Sequence, residues 1–328
     1  MLKEDVRYFA RRAALSLLLN KRVVGNPIFR AYMSRRMKRK IAAVAAGAPP
    51  RQLTLENTSI CNAKCVMCPY PIMERDKIII DVDLYQKGLR DAKELGIKWV
   101  QPQYFGEPLV DKGLGDKIRA SRELGLKTTV FSNGSLLDAA KAKMLIESEL
   151  DEIKISIDSH KPEVYEAIRK GLKFQKVLEN VRGLVALRKE MGAKLPKVSV
   201  MFVEFEANHT ETRDFYKFWS RIVDHVNISR SHNWGGKVTV KGLTILQDEQ
   251  LRFPCPSPWD QLVVNAQGEI LPCCCDYEGT HLSLGNLKTM TLRQAWEGEK
   301  MTELRRKHLE RRFAEIPLCD ACRPNDLW

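Results

Sequence analysis

Between residues 52 and 230 two patterns of apolar and polar positions take turns along the chain. Short runs with period two alternate with longer runs whose apolar residues recur every three or four positions. The run RQLTLENTS (51–59) reads as a strand leading into a cysteine-bearing loop. Further strands are predicted over 97–106, 126–134, 151–159, 197–206 and 224–230. Helices are predicted over 81–96, closed by Gly96, and over 116–125, 136–148, 162–171, 174–192 and 212–223. Strands alternating with helices predict parallel βαβ units. A doubly wound sheet and an incomplete barrel both fit. The predicted strand ends read NTSICNAKC, YFGEP, FSNGS, ISIDS, FVEFEAN and ISRSHNWGG. In parallel α/β folds functional groups gather at those ends, on one face. Beyond residue 250 the pattern changes to a hairpin over 262–272, turning at Ala266-Gln267-Gly268, and one long basic helix over 291–312.

Composition alters this picture in two places. The chain has 328 residues with 44% apolar and 29% charged, enough for one large domain and a smaller one. Its net charge of +13 is uneven: residues 1–40 hold twelve Lys or Arg against Glu4 and Asp5, so ten of the thirteen charges lie there. That basic arm mixes in Val6, Tyr8, Phe9, Leu15 and Leu17–Leu19. It suits an anionic membrane surface, nucleic acid or an acidic partner, and equally a helical pair packed outside the body. The apolar run AALSLLL is too short to span a bilayer and lacks a signal-peptide cleavage site. The nine cysteines fall at 61–68, 255, 273–275 and 319–322, which is not the spacing of a secreted disulfide framework. A reducing cytoplasm, with the membrane surface as a peripheral location, is the expectation.

Cys61, Cys65 and Cys68 form C-x3-C-x2-C directly after the first predicted strand. Three thiolates at this spacing can hold three irons of a [4Fe–4S] cube and leave the fourth open. A zinc site is the rival, although zinc motifs usually come as paired CxxC units.

Together with Phe105-Gly106-Glu107-Pro108, Ser132-Asn133-Gly134 and Ser156-Ile157-Asp158 at later strand ends, this loop resembles the radical S-adenosylmethionine (SAM) superfamily over residues 52–328. The resemblance implies a partial (β/α)6 TIM-like barrel over 51–235, after a basic arm at 1–50. It implies a SAM-binding [4Fe–4S] cluster on Cys61, Cys65 and Cys68, and SAM contacts from Gly106, Glu107, Ser132, Asn133, Ser156, Asp158 and Arg169. Glu107 would meet the SAM ammonium, Ser156 and Asp158 the ribose, and Arg169 the carboxylate. Ser156 and Asp158 also read as a plain strand end capping the next helix. Met67 stands where the family often has an aromatic residue against the adenine.

The segment with Cys255, the hairpin, Cys273, the helix and a final CxxC is similar to the SPASM/Twitch extension, here 250–328. It implies one auxiliary [4Fe–4S] cluster on Cys255, Cys273, Cys319 and Cys322, with zinc on the same residues as the rival. Cys274 and Cys275 then remain as spare thiols, read either as hydrogen-atom donors or as small buried residues.

The implied activity is reductive cleavage of SAM to a 5′-deoxyadenosyl radical that abstracts a substrate hydrogen atom. The leading expectation is an oxidoreductase or epimerase acting on a carbohydrate, aminocyclitol or glycoside, fed by flavodoxin or ferredoxin. The alternatives are a peptide-modifying maturase and a zinc-stabilised binding protein without catalysis. Glu204 and His232 are further candidate catalytic residues, His232 as a base near neutral pH. Tyr104, Glu206, Asn233, Trp234 and Asp276 are candidate substrate contacts. Glu204 and Glu206 share strand parity and are expected to point together into the barrel.

Overall fold

The computed structural model describes residues 26–204, 206–230, 233–238 and 252–322. Helix α1 (Pro27–Ala45) starts where the Asn26 side chain accepts from the amides of Ile28 and Phe29. Strands β1 (Gln52–Leu55), β2 (Trp99–Gln101), β3 (Lys127–Ser132), β4 (Glu152–Ser156), β5 (Lys197–Glu204) and β6 (His225–Arg230) alternate with helices. These helices are α2 (Val82–Leu95), α3 (Leu114–Glu123), α4 (Ala139–Glu147), α5 (Pro162–Ile168), α6 (Phe174–Glu190) and α7 (Thr212–Trp219). After them come β7 (Gln261–Val264), β8 (Glu269–Leu271), β9 (Gly285–Asn286), α8 (Leu292–Glu297), α9 (Glu299–Leu309) and α10 (Pro317–Ala321).

Among the described residues the strands form one sheet in the order β6-β5-β4-β3-β2-β1-β7-β8-β9. From β1 to β6 each strand lies parallel beside its predecessor. A doubly wound sheet reverses direction partway, and this one does not. The barrel-type order therefore decides between the two architectures left open by the sequence. Strand β7 then adds to the free edge of β1, parallel, from Gln52↔Gln261 to Leu55↔Val264, and the β7–β8 hairpin continues from it. The C-terminal segment thus extends the barrel sheet itself.

One apolar core joins β3–β6 to α4–α7 and reaches the cysteine loop through Cys65 and Met67. A second joins β1 and α2 to β7, α8 and α9. The single helix expected over 291–312 is two. Gly298 is extended (φ −69°, ψ 165°) and begins α9, and a Cβ there would lie 2.5 Å from the Gln294 carbonyl. The shared parity expected of Glu204 and Glu206 ends with β5, because Glu206 already sits in the following turn, exposed. Among the described residues no helix is long and apolar enough to cross a membrane.

Candidate functional site

The loop after β1 carries Cys61, Cys65 and Cys68, and residues at the end of α5 and just past it clamp it. The amides of Lys64 and Val66 donate to the carbonyls of Lys170 and Ile168, at 2.9 and 3.0 Å. The Cys61 amide donates to Tyr70 Oη (3.0 Å), and Cys68 Sγ accepts from the Tyr70 amide (3.4 Å). Helix α5 stops at Ile168, one turn earlier than the sequence predicts, so Arg169 leaves the helical track (φ −102°, ψ 68°). Its guanidinium lies between Cys65 Sγ (Nη1, 3.7 Å) and Asp158 (Nη2 to Oδ2, 2.7 Å).

Asp158 is fully buried, and its other oxygen accepts from the Val203 amide at 2.9 Å. A buried carboxylate stays ionised only when paired, so Asp158 is committed to Arg169 and β5, where the sequence placed it at the ribose. Ser156, at the end of β4, is half-buried. Arg169 Nε and Tyr165 Oη are buried with no protein partner. Buried polar groups are almost always hydrogen-bonded, so these two atoms fit a polar ligand such as SAM beside Cys65.

Glu107 is buried at the end of β2 and is already well bonded. Ser132 Oγ and the Leu109 amide donate to Oε1 (2.7 and 3.1 Å), and the Asn133 amide donates to Oε2 (2.7 Å). Burial raises its carboxyl above the ordinary range, while the Asn133 amide and the Ser132 hydroxyl oppose that. Glu107 therefore binds the second and third strand ends together. Asn133 Nδ2 in turn reaches Asn62 Oδ1 inside the cysteine loop (2.8 Å). Gly106 is fixed by space: a Cβ there would stand 2.0 Å from the Thr58 carbonyl oxygen.

A second hub lies outside the residues that the sequence motifs single out. Glu56, at the end of β1, holds Arg75 in two 2.7 Å bonds and accepts from the amides of Phe105 and Ala266. Arg75 Nε donates to the Tyr277 carbonyl (2.8 Å). The pair thereby joins the cysteine loop's return, the β2 end and the hairpin turn. A signal was present: a Glu right after an apolar strand and an Arg seven residues past the last cysteine of the motif. Above this hub an aromatic group packs against Cys68: Tyr70, Tyr104, Phe105, Trp234 and Tyr277. Trp234 Nε1 donates to the Met67 carbonyl (2.8 Å), and Tyr104 Oη donates to the Asp276 carbonyl (2.8 Å).

Several expected substrate contacts have other work. Asn233 Nδ2 donates to the Ala321 carbonyl (2.8 Å), and a Cβ on Gly235 would meet Leu318 at 2.3 Å. The Asn-Trp-Gly-Gly loop is therefore a strap between the cysteine loop and α10. Asp276 is buried and accepts from the amides of Gly279, His281 and Leu282, which shapes its own turn. Glu204 is half-buried at the β5 end, in register with Arg230. His232 lies outside the described residues.

The six remaining cysteines line one cavity of about 190 Å³ together with Arg252, His308 and Leu318. That is several times the ~30 Å³ share of one water. The space and the thiol-rich lining fit a polynuclear iron–sulfur cluster. Cys255, Cys273, Cys319 and Cys322 all line it, and so do Cys274 and Cys275. Cys275 is buried with its Sγ 4.0 Å from that of Cys322, in the wall of this cavity. Cys274 is half-buried. Burial pushes the Cys61 thiol up to about 11, and the Cys68 and Cys255 thiols up to about 12. Loading iron must therefore displace protons from both groups.

A barrel with three cysteines after β1 and a second cysteine cavity on its extended edge defines a class of SAM-dependent iron–sulfur proteins. Family models agree: residues 55–218 match the radical SAM superfamily, and residues 255–323 match SPASM, an iron–sulfur cluster-binding domain. The chain belongs to the radical SAM superfamily and carries a C-terminal SPASM domain. Its cofactors are SAM, the [4Fe–4S] cluster that binds it, and auxiliary iron–sulfur. A GTP 3',8-cyclase of Limosilactobacillus fermentum is 30% identical over 166 residues, about half of each chain (49% and 48%). A tungsten-containing aldehyde ferredoxin oxidoreductase cofactor-modifying protein of Pyrococcus furiosus is 25% identical over 83% of this chain and 88% of its own. A PqqA peptide cyclase of Gluconobacter oxydans is 25% identical over 76% and 77%. BtrN, solved with AdoMet and 2-DOIA, superposes with a TM-score of 0.58 at 18% identity, covering 85% of this chain and 96% of BtrN. Streptococcus suis SuiB bound to its precursor peptide SuiA gives 0.66 at 15% identity, covering 83% and 71%.

Proposed function

We propose that this radical SAM enzyme oxidises its substrate by two electrons. With the clusters and SAM bound, the site would supply a 5′-deoxyadenosyl radical to take a hydrogen atom and an auxiliary centre to accept the remaining electron, as the OH or NH proton is lost to solvent. The observation that carries the reading is the convergence of six cysteines on one cavity adjoining the barrel, with Tyr104 from the β2 end bonded to the carbonyl of Asp276, the residue after Cys275. Glu107 keeps Ser132 and Asn133 in place for SAM, and Arg169 stays positive through Asp158.

The preferred substrate is a sugar-like or aminocyclitol small molecule, in which the carbon losing hydrogen bears OH or NH. The near-complete coverage of the BtrN chain supports a protein of that scale. A peptide is the second reading, favoured by the extended match to a PqqA peptide cyclase. Incubation of the anaerobically reconstituted enzyme with SAM, dithionite and panels of aminocyclitols and peptides tests both. The expected result is 5′-deoxyadenosine formed together with a product lacking two hydrogen atoms. Solvent deuterium retained at carbon with no loss of hydrogen would instead mean epimerisation, with Cys274 as the donor. Bound zinc and no 5′-deoxyadenosine would sink the enzymatic reading.

A further inference from the structure

Helix α1 takes no part in the site described so far. It carries Arg30, Arg35, Arg36, Lys38, Arg39 and Lys40 and no acidic residue. Its inner face is fully used. Met33 and Met37 are buried, Phe29 meets Phe253 edge-on at 6.4 Å, Arg30 lies over the same ring at 5.1 Å, and Lys40 pairs with Asp260. Ile28, Tyr32, Arg35, Arg36 and Arg39 are spaced i, i+4, i+7, i+8 and i+11, which puts them on the opposite face. All five are exposed, Ile28 by 81% and Tyr32 by 57%, with exposed Lys38 beside them. The strip is about 16 Å long at 1.5 Å per residue.

A solvated helix face ordinarily carries polar residues with charges of both signs; this one carries cations alone, with two large apolar side chains set together among them. We propose that the outer face of α1 docks on an anionic lipid bilayer, with Ile28 and Tyr32 entering the headgroup layer and the four flanking cations meeting lipid phosphate and carboxylate. The exposed apolar pair favours lipid over nucleic acid, which needs only the cations. The preceding sequence repeats the combination, with Lys3, Arg7, Arg11 and Arg12 among Val6, Tyr8, Phe9 and Leu15. Asp260 receives both Lys40 and the Arg51 amide, so α1 runs into the start of β1, at the end of the strands away from the cysteine loop. Docking there leaves the strand-end face open.

The test is cosedimentation of the full chain with phosphatidylcholine vesicles, with and without about one-third phosphatidylserine, at low and raised salt. Binding to the anionic vesicles alone, weakened by salt, is expected. Each surface cation contributes about fivefold to partitioning, so Arg35→Glu/Arg36→Glu/Arg39→Glu lowers it by at least roughly a hundredfold. Ile28→Ser/Tyr32→Ser also weakens vesicle binding but leaves retention of a duplex oligonucleotide unchanged. Iron content and circular dichroism unchanged from the parent show that both variants fold. Equal affinity for neutral vesicles, or anionic-vesicle binding indifferent to both variants, overturns the proposal. So does binding of the oligonucleotide without binding of vesicles.

Discussion

Replacing Gly106 by alanine puts one methyl group where the cysteine loop passes closest to the β2 end. The new Cβ would lie 2.0 Å from the Thr58 carbonyl oxygen, 2.7 Å from its carbon and 3.0 Å from the Ile60 carbonyl oxygen. All three are backbone atoms, so no side chain can rotate away. Thr58 is also pinned from behind. Its Oγ donates to the Ile78 carbonyl and accepts from the Ile60 amide, each at 3.1 Å, and it bridges Ile79. Relief needs a shift of about 1 Å, with an overpacking cost of roughly 1–3 kcal/mol. The Glu107 amide bond to Ile60 (2.8 Å) weakens with it. At a denaturant slope of about 2 kcal/mol per molar, a 2 kcal/mol loss lowers the urea midpoint by about 1 M. Anaerobic urea unfolding measures this, and iron content and 5′-deoxyadenosine formation report on the displaced Cys61 loop. Gly183→Ala in α6 is the control: nothing lies within 4 Å of its Cβ, and the change should gain roughly 0.5–1 kcal/mol. A Gly106→Ala protein with parental midpoint, iron and SAM cleavage would refute the reasoning.

Asp158→Asn leaves Arg169 buried without its counter-ion, which should cost about 3–5 kcal/mol in urea unfolding; an unchanged midpoint would show that the pair is not held as described. Glu56→Gln removes the charge that faces Arg75 while both side chains stay buried, and should lower stability by a similar ~3 kcal/mol, read as a lower thermal midpoint. Burial raises the Asp224 carboxyl, but hydrogen bonds from Arg188 and the Val198 amide outweigh it and hold the group below the ordinary range. Its contribution is therefore present above pH ~3.9 and lost as pH falls below that value, so Asp224→Asn should flatten the acid limb of a stability–pH curve.

The alternation from 52 to 230 was readable because each strand and helix buries one face with its own period. Barrel and doubly wound sheets share that alternation, so periodicity alone left the architecture undecided, and the strand order settled it. The pairing of β7 with β1 joins residues about two hundred positions apart and leaves no local trace. The four strand-end motifs were found in the sequence, but their internal bonding was not. Glu107 and Asp158 read as ligand contacts because a carboxylate after a strand looks the same whether it faces a ligand or a neighbouring side chain. Asn233 and Trp234 read as substrate contacts because they follow the last strand, and they strap α10 to the cysteine loop. The break at Gly298 was missed because one glycine in a run of good helix formers costs only about 1 kcal/mol on propensity grounds.

The central claim is that two separate cysteine groups hold two separate clusters, with SAM cleaved only at the first. Iron and sulfide analysis of the reconstituted parent and of Cys61→Ser/Cys65→Ser/Cys68→Ser tests it most directly. The account predicts about eight irons falling to about four, at four per cube, with SAM cleavage lost and the remaining irons still reducible. Loss of all iron in the variant, no loss at all, or zinc in place of the residual four irons would contradict it.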